Sequence, residues 1–337
     1  MKTKIIKYDG KDSLKAAADI IRHGGTVIFP TETVYGLGAN ALDSNAAKRI
    51  YEAKGRPSDN PLIVHLCEYE SAGIYCHTTP LFFDIAKAFM PGPLTMIVRK
   101  RDFIPDSVTG GLDTVGIRVP DNKIARELIE LSGVPIAAPS ANISGKPSPT
   151  AFEHVYHDMN GRVDAIIDGG SCEYGVESTI IKLDKNKLHL LRPGAVTIEM
   201  LSLFSDEIKV DPSIVQKFDG VPLAPGMKYR HYAPSKPLKI LDGTDDQVYR
   251  FLYEKERTAV ICFDHDLPYI NNDKVISCGP AGDSLTQARR LFSVLREIDK
   301  CENIDTIYAR MPSKVGIGLA VFNRLVKAAG FEIIMLS

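Results

Sequence analysis

The chain has 337 residues, which at roughly 150 residues per domain predicts about two domains. Hydrophobic residues make up 44% and charged residues 25%, the proportions of a globular protein, which excludes a disordered or low-complexity chain. The 41 basic and 42 acidic residues leave a net charge of −1, which argues against an evenly basic nucleic-acid-binding protein but not against a local basic patch.

The first part of the chain alternates predicted strands and helices. Asp12 is expected to cap a first helix that ends at Gly24-Gly25, and Asp43 or Ser44 a second. Several strands follow one another without an intervening helix, which favours a mixed α/β sheet over a purely parallel one. Strands are predicted at 5–6, 26–29, 62–66, 94–98, 114–119, 135–138, 164–167, 179–183 and 188–191.

Residues 205–236 interrupt this alternation. Four prolines fall there, with the segment APGMKYRHYAPSKP, so we predict a long linker, and long ordered loops are commonly functional. The alternation then returns, with strands at 238–241, 258–263, 274–277, 305–308 and 332–335 and helices near 243–254, 283–298 and 316–329. This region predicts a small Rossmann-like domain, so the expected division is 1–204, a linker or lid at 205–236, and 237–337.

Membrane and secreted classes are not supported by the sequence. No stretch approaches about 18 consecutive apolar residues, the length of a membrane-spanning helix, and the N-terminal residues lack the apolar core of a secretory signal. The cysteines form no CxxC pair, so we predict no disulfide framework, no cysteine zinc site and a reducing cytoplasmic location. Each is expected to be a small buried hydrophobic residue; they are Cys67, Cys76, Cys172, Cys262, Cys278 and Cys301.

Polar residues cluster after the predicted strands, where α/β folds place ligands. Lys54 and Arg56 stand in a Gly/Pro-containing loop and predict a phosphate clamp, with a solvated helix end as the alternative. Arg118 ends an apolar strand and is expected either to bind a carboxylate or phosphate or to form a surface salt bridge. Segment 140–148 is expected to form either an anion-binding nest or an ordinary turn-rich loop.

Common nucleotide and metal motifs are missing from the sequence. It contains no GxxxxGK[ST] P-loop and no complete GxGxxG fingerprint. His154 and His157 lie three residues apart on a predicted helix, but no third ligand is evident, so no metal site is predicted.

Nine sequence motifs occur in an order that resembles one known family. They are PTETVYGLGANAL, KGRPSDNPLIVHL, PGPLT, GIRVP, APSANISGKPSPT, GVESTII, LRPGA, KYRHYAPSKPL and GIGLAVFNRLVKAAG. The first seven resemble the catalytic domain of the YrdC/Sua5 family, and the last two resemble the linker and accessory domain of its long Sua5 form. The resemblance implies a twisted mixed sheet with a concave active site, plus a small Rossmann-like α/β C-terminal domain.

The resemblance also implies an activity, L-threonylcarbamoyladenylate synthesis. Such an enzyme joins L-threonine, bicarbonate or CO2 and ATP into threonylcarbamoyl-AMP and diphosphate, the first step of tRNA t6A37 modification. ATP is then a substrate, and Mg2+ is expected to accompany its phosphates. The expected partner is a downstream threonylcarbamoyl transferase that acts on tRNA. Weak RNA binding is a further expectation, and no membrane partner is expected.

The same resemblance implies roles for individual residues. Lys54 would face the leaving diphosphate, and Lys54 and Arg56 are the candidate catalytic residues. The residues expected to hold threonine are Thr33, His65, Arg118, Ala138 and Ser178. The residues expected to contact ATP are Arg56, Asn60, Thr114, Ser140, Ser148 and Arg192, together with Tyr232 from the linker.

Three other functions are alternatives. A double-stranded RNA-binding or translation-associated module would need a basic surface, and the 25 basic and 28 acidic residues of the first 220 weaken it. A carbamoyl-transferring maturation factor would carry a zinc-finger region, which the absence of CxxC disfavours. A Rossmann oxidoreductase is disfavoured by the missing GxGxxG.

Overall fold

The chain folds around two β-sheets. The computed structural model describes residues 2–185, 187–218, 220–228 and 231–337, and within them eleven strands form the first sheet and five form the second. The mixed α/β class is therefore confirmed. In these described ranges, no helix is long and apolar enough to cross a membrane.

The first sheet and its helices occupy the N-terminal part of the chain. The strands are β1 (Lys4–Lys7), β2 (Val27–Phe29), β3 (Gly36–Asn40), β4 (Ile63–His65), β5 (Leu94–Arg99), β6 (Thr114–Arg118), β7 (Ile136–Ala138), β8 (Ala165–Asp168), β9 (Thr179–Asp184), β10 (Lys187–Arg192) and β11 (Ile208–Val210). The helices are α1 (Lys15–Arg22), α2 (Ser44–Lys54), α3 (Ala72–Tyr75), α4 (Pro80–Phe89), α5 (Asp106–Thr109), α6 (Lys123–Ser132), α7 (Phe152–Met159) and α8 (Ile198–Leu201). Every strand predicted in this region is present to within two residues.

The first sheet mixes parallel and antiparallel neighbours, in the order β1-β8-β2-β3-β7-β4-β6-β5-β9-β10-β11. Strand β4 runs parallel to β6, with His65 opposite Arg118, and antiparallel to β7, with Ile63 opposite Ala138. Residues that are register partners, or two apart on one strand, share a face of a sheet. These four residues therefore lie on the same face.

The first two long helices begin differently from each other. The Asp43 side chain caps α2 by accepting hydrogen bonds from backbone N–H groups of the first turn, as predicted. Gly55 ends α2 in the left-handed conformation (φ +61°), which favours glycine and leaves Lys54 as the last helical residue. The predicted cap at Asp12 is wrong, because Asp12 lies in a 3-10 turn and α1 begins at Lys15 without a side-chain cap.

Strand β3 lies in a segment whose composition predicts a loop. Gly36 and Gly38 lower the strand propensity of this segment. Yet β3 pairs with β2 and β7, and a β-carbon on Gly38 would lie 2.5 Å from the Ile136 side chain and 2.6 Å from the Phe29 ring. The close neighbours therefore require glycine here, and the sheet overrides the local preference.

The second sheet is wholly parallel. Its strands are β12 (Leu238–Asp242), β13 (Thr258–Cys262), β14 (Lys274–Ser277), β15 (Thr306–Arg310) and β16 (Ile333–Met335), and its helices are α9 (Asp245–Tyr253), α10 (Ser284–Asp299) and α11 (Gly318–Ala328). All elements predicted for this region are present to within two residues. A parallel sheet whose strands are connected by α9, α10 and α11 is Rossmann-like, as predicted. Its strand order, β14-β13-β15-β12-β16, differs from the usual dinucleotide-binding order by an exchange of the first and fourth strands.

The predicted linker packs against both sheets. It begins with β11, which pairs with β10 at the edge of the first sheet. Further along, Ala224 and Met227 pack on Ile63 and its neighbours in the first sheet. Tyr232 belongs to the core around the second sheet, where its ring centroid lies 5.0 Å from that of Phe292. The segment is thus an ordered bridge in its described residues.

All six cysteines are free thiols. Three are buried as predicted, but three are only partly buried: Cys67, Cys172 and Cys301. The prediction that all six are buried is wrong for these three, because each lies in a connection shortly after a strand or helix, where neighbouring elements cover it incompletely.

We expect Gly38→Ala to lower the free energy of unfolding by about 1–3 kcal/mol, because the new methyl group would overlap Ile136 and Phe29. Gly36→Ala is the matched control on the same strand, since its added carbon would meet its nearest neighbours at 3.4 and 3.5 Å, an ordinary contact. Urea denaturation measures both variants. Equal destabilisation of the two would contradict the packing explanation.

Candidate active site

A cavity lies on the face of the first sheet that carries His65 and Arg118. It has a volume of about 50 Å³, room for a few water molecules. Its lining includes four cations and one carboxylate among the described residues, so it favours an anionic ligand. The polar lining residues are Thr31, Tyr35, Lys54, Arg56, His65, Arg118, Ser140, Asn142, Ser144, Glu177, Arg192, His231 and Tyr232, and Ala138 lies beside them.

Arg118 is held in the cavity wall by Glu32. Its Nη2 lies 2.8 Å from Glu32 Oε1 and donates to Thr33 Oγ1 at 2.9 Å, and all three side chains are buried. The salt bridge considered as the alternative thus exists, but it is buried rather than on the surface. Arg118 Nε has no hydrogen-bond partner in the described part of the chain, so the guanidinium keeps a donor for a ligand carboxylate.

His65 is neutral in this site. Its burial, and then the charge of Arg118, lower its pKa to about 3. Nδ1 lies 3.0 Å from the carbonyl oxygen of Ile63, and because a carbonyl only accepts, this contact favours the tautomer with the proton on Nδ1. In that tautomer Nε2 is an acceptor for a hydroxyl or ammonium group.

Lys54 is enclosed at the end of α2. Only 1% of its surface is exposed, and Nζ donates to the backbone carbonyls of Ser140 and Asn142. Burial, and then the neighbouring Arg56, lower the pKa of Lys54 well below its usual value. The alternative of a solvated helix end is therefore wrong for Lys54. A bound anion would favour its charged form.

Arg56 follows α2 and lines the same cavity. Its Nε donates to the Asn60 carbonyl at 3.3 Å and its Nη2 to the Pro61 carbonyl at 3.1 Å. Asn60 is buried but does not line the cavity, and its Oδ1 lacks a hydrogen-bond partner among the described residues. The structure thus brings Arg56 together with Lys54, while Asn60 holds Arg56 through its backbone.

Segment 140–148 is a loop beside the cavity, and an anion-binding nest within it stays a prediction. Ser140 lines the cavity and its hydroxyl donates to Asn142 Oδ1 at 2.6 Å. The backbone N–H groups of Ala141 and Ser144 donate to carbonyls outside the segment. Ser148 does not line the cavity, because its buried hydroxyl donates to Glu177 Oε1 at 2.5 Å.

Arg192 is held by Ser178 and by the linker. Its Nε and Nη2 donate to the carbonyl and hydroxyl of Ser178 at 3.0 and 3.2 Å, and its Nη1 donates to the Pro225 carbonyl at 3.4 Å. Burial lowers its pKa to about 10, against the opposing charge of Glu177, so the guanidinium stays charged at neutral pH. Ser178 itself does not line the cavity; it orients Arg192.

The linker covers the cavity. Tyr232 is buried at a positive φ of +64°, and burial followed by the charge of Glu177 raises its pKa to about 12. Lys228 Nζ lies 3.4 Å from Asp59 Oδ2. Tyr229 and Arg230, which the sequence places in the same cluster, lie outside the described residues. The linker's lining residues are Pro225, Gly226, His231 and Tyr232.

Thr114 lies apart from the cavity. It begins β6, at the end of that strand opposite Arg118, and pairs with Arg99 on β5. The structure therefore does not bring Thr114 together with the other candidates, and its role in ATP binding stays a prediction.

A cluster of side chains of the kinds that bind metal ions lies in the C-terminal part of the chain. Asp245, His265 and Asp266 converge beside the second sheet. Arg310 pairs with both aspartates, so a cation already offsets their charge and the cluster is an ion-pair network.

Glu32, Glu177 and Arg324 are missed by the sequence reasoning. Glu32 pairs with Arg118, and Glu177 lines the cavity and pairs with Arg324 at 2.8 Å. Burial raises the pKa of Glu177, but Arg324 and Arg192 outweigh it and hold the pKa at about 2, so the carboxylate is ionised. The available signal is a single charged residue inside an otherwise uncharged motif, as in GVESTII.

Two family models match the chain. The model for Sua5, YciO and YrdC proteins, described as "Telomere recombination", matches residues 19–194. The model described as "Threonylcarbamoyl-AMP synthase, C-terminal domain" matches residues 196–330.

Individual relatives match over nearly the full length. Threonylcarbamoyl-AMP synthase of Pyrococcus abyssi is 47% identical over 327 residues, 95% of each chain. The Bacillus subtilis enzyme of that name is 44% identical over 347 residues, which cover 99% of this chain and 100% of the relative. The crystal structure of P. abyssi Sua5 complexed with L-threonine superposes with a TM-score of 0.92 at 44% identity, over 100% of both chains. This chain therefore belongs to the YrdC/Sua5 family, in its long Sua5 form.

Proposed function

We propose that this chain makes threonylcarbamoyl-AMP from L-threonine, bicarbonate or CO2 and ATP, with release of diphosphate. The observation that carries the proposal is one cavity that holds a carboxylate-binding arginine, Arg118, and three cations suited to phosphates, Lys54, Arg56 and Arg192. Relatives named threonylcarbamoyl-AMP synthase align over at least 95% of their length. The P. abyssi complex with L-threonine supports the same amino acid as substrate.

L-threonine would lie against Arg118. Its carboxylate would pair with the guanidinium. Thr33 is buried and does not line the cavity, and its hydroxyl accepts from the same arginine, so its bond to the β-hydroxyl of threonine stays a prediction. His65 Nε2 offers an acceptor for the amino group, and Ala138 leaves room for a small side chain. Ser178 would act through Arg192 rather than by direct contact.

The reaction requires that the protein position the substrates and neutralise the phosphate charge, and it needs no protein nucleophile. The amine of threonine adds to CO2 and loses a proton to give a carbamate. A carbamate oxygen attacks the α-phosphorus of ATP, the α–β P–O bond breaks, and diphosphate leaves with the electron pair. Lys54 would neutralise the diphosphate, while Arg56 and Arg192 would hold the nucleotide phosphates, with Ser140 beside them.

The cavity does not fit a metal ion held by the protein. Mg2+ prefers oxygen ligands in octahedral geometry, usually including carboxylates. Among the described lining residues only Glu177 is a carboxylate, and it already accepts from Ser148 and Arg324. Mg2+ arriving with the phosphates stays a prediction, and the proposed chemistry rests on the protein's own cations.

The linker would act as a lid. The cavity of about 50 Å³ is far smaller than the roughly 300–1,000 Å³ of sites for drug-sized ligands, so the covering segment has to move to admit ATP. Opening would admit substrates and release product, and closure would exclude water from a hydrolysable adenylate. The alternative is a segment that packs statically between the two sheets.

Several further assignments belong to the proposal. We assign residues 1–204 to a catalytic domain, 205–236 to the lid and 237–337 to an accessory domain, in keeping with the two sheets. The product would pass to a threonylcarbamoyl transferase that modifies tRNA, with weak RNA binding as an accompanying property. A cytoplasmic location stays a prediction.

The direct test is incubation of the protein with ATP, bicarbonate and threonine. We expect diphosphate and threonylcarbamoyl-AMP, detected by mass spectrometry. Absence of the adenylate, together with RNA binding that falls steeply as salt increases, would favour the RNA-binding alternative instead.

Lys54→Ala and Arg56→Ala should each slow adenylate formation by about 10²-fold or more, because each removes a charge-assisted contact in a site that excludes water. Lys48→Ala, which changes an exposed lysine on the same helix α2, is the control and should keep full activity. Diphosphate release measures the rate, and circular dichroism checks the fold. An unchanged rate of diphosphate release in both cavity variants would contradict the catalytic roles of Lys54 and Arg56.

Threonine should be used far better than valine. A site that hydrogen-bonds a substrate hydroxyl leaves buried groups unpaired when that hydroxyl is missing. Serine lacks only a methyl group and should lose about 1–3 kcal/mol of transition-state binding. Values of kcat/KM for the three amino acids decide this, and equal values for threonine and valine would refute the proposed threonine site.

Trypsin cleavage near Lys228 should slow markedly when ATP and threonine are both present, because the lid would then stay closed. Arg230 is the other expected cleavage point, and it lies outside the described residues. Each ligand alone is the control. The lid is wrong if protection is the same with and without both ligands and Tyr232→Ala retains full activity.

A further inference from the structure

Helix α11 of the second sheet's domain inserts an arginine behind the wall of the proposed nucleotide site. Arg324 is 0% exposed. Its Nε donates to Glu177 Oε2 at 2.8 Å, its Nη2 to the Glu177 carbonyl at 3.2 Å and its Nη1 to the Pro193 carbonyl at 2.7 Å. These partners lie 131 and 147 positions earlier in the chain. A side chain of one domain is thus satisfied mainly by the other.

The partner of this arginine faces the cavity. Glu177 lines it, and its second oxygen, Oε1, accepts from Ser148 at 2.5 Å. Pro193, which also accepts from Arg324, directly follows Arg192, a lining residue. One guanidinium therefore contacts both Glu177, which faces the cavity, and the residue that follows Arg192.

The charge of Glu177 is a problem for a phosphate site. A buried carboxylate beside the phosphates of ATP would repel them, and repulsion is strong where water is excluded. Arg324 lies against this carboxylate on the side away from solvent and offsets its charge. Since Arg324 does not itself line the cavity, it would act on ATP only through Glu177 and its neighbours.

We propose that Arg324 is a positioning residue for the nucleotide site: through its buried pair with Glu177 it neutralises the carboxylate that faces the phosphates and holds Ser148 in place. The inference rests on the proposed function and deepens it. It means that the C-terminal domain sets ATP affinity without touching ATP.

The competing explanation is that α11 only joins the two domains. The same helix also contacts the linker: Asn323 Nδ2 donates to the Ile214 carbonyl at 2.8 Å, and Lys327 Nζ donates to the Gly226 carbonyl. A purely structural helix would lower stability when altered, but it would not act on one substrate more than on the other. The test therefore separates the KM for ATP from the KM for threonine.

Arg324→Met removes the charge and keeps an unbranched side chain. We expect the KM for ATP to rise about tenfold or more, because Glu177 is left unpaired, whereas the KM for threonine should change little. In Arg324→Met/Glu177→Gln neither charge is present, so most of the lost ATP affinity should return. If Arg324→Met does not fold, Arg324→Lys is used, which keeps the charge without the planar fork and should give a smaller rise.

Arg310→Met is the matched control. Arg310 on β15 pairs with Asp266 at 3.5 Å, with side chains 9% and 0% exposed, and neither lines the cavity within the described residues. It should leave the KM for ATP near the wild-type value. An equal rise in Arg310→Met, an equal rise in both KM values of Arg324→Met, or no recovery in the double variant would overturn the inference. If the wild type makes no threonylcarbamoyl-AMP, the proposed function fails instead.

Discussion

The burial of cations against one face of the first sheet is the constraint on which the site depends. Lys54, Arg118 and Arg192 all lose their water, which is costly unless protein groups replace it. Backbone carbonyls do so for Lys54, Glu32 for Arg118, and Ser178 for Arg192. Because these partners are already in place, the cations need little reorganisation to bind an anion.

The same constraint explains why the second domain lies where it does. The first sheet buries Glu177 as well as its cations; within the described residues Arg324 forms the salt bridge to that carboxylate, and Arg192 also helps to hold its pKa low. Helix α11 brings Arg324 to the first sheet. The linker is then confined between the two sheets, where Tyr232 packs on Phe292 while facing the cavity. Charge pairing and the covering of the site are thus parts of one arrangement.

Many of the groups around the cavity were predictable because local signals mark them. Lys54 ends a capped helix and Arg56 follows it, and His65 and Arg118 end two strands that prove to be neighbours. Ser148 and Ser178 behave differently. Neither serine lines the cavity. Each hydroxyl instead forms a hydrogen bond with a charged residue that does line it. No spacing along the chain indicates that a serine will form a hydrogen bond to a lining residue rather than to a ligand.

The sequence by itself determined the mixed α/β class, the family, and, to within two residues, every strand that it predicted and the helices of the second sheet, because propensities, caps and motifs act over a few neighbouring residues. It did not indicate β11 or the helices α3, α4, α5, α6 and α8. Only the tertiary structure decided that Gly36–Asn40 is a strand, since the need for glycine at Gly38 comes from residues on other strands. It also decided which charges meet. Glu177 and Arg324 are 147 positions apart, and such pairs are selected by the desolvation that packing imposes, which no local pattern records.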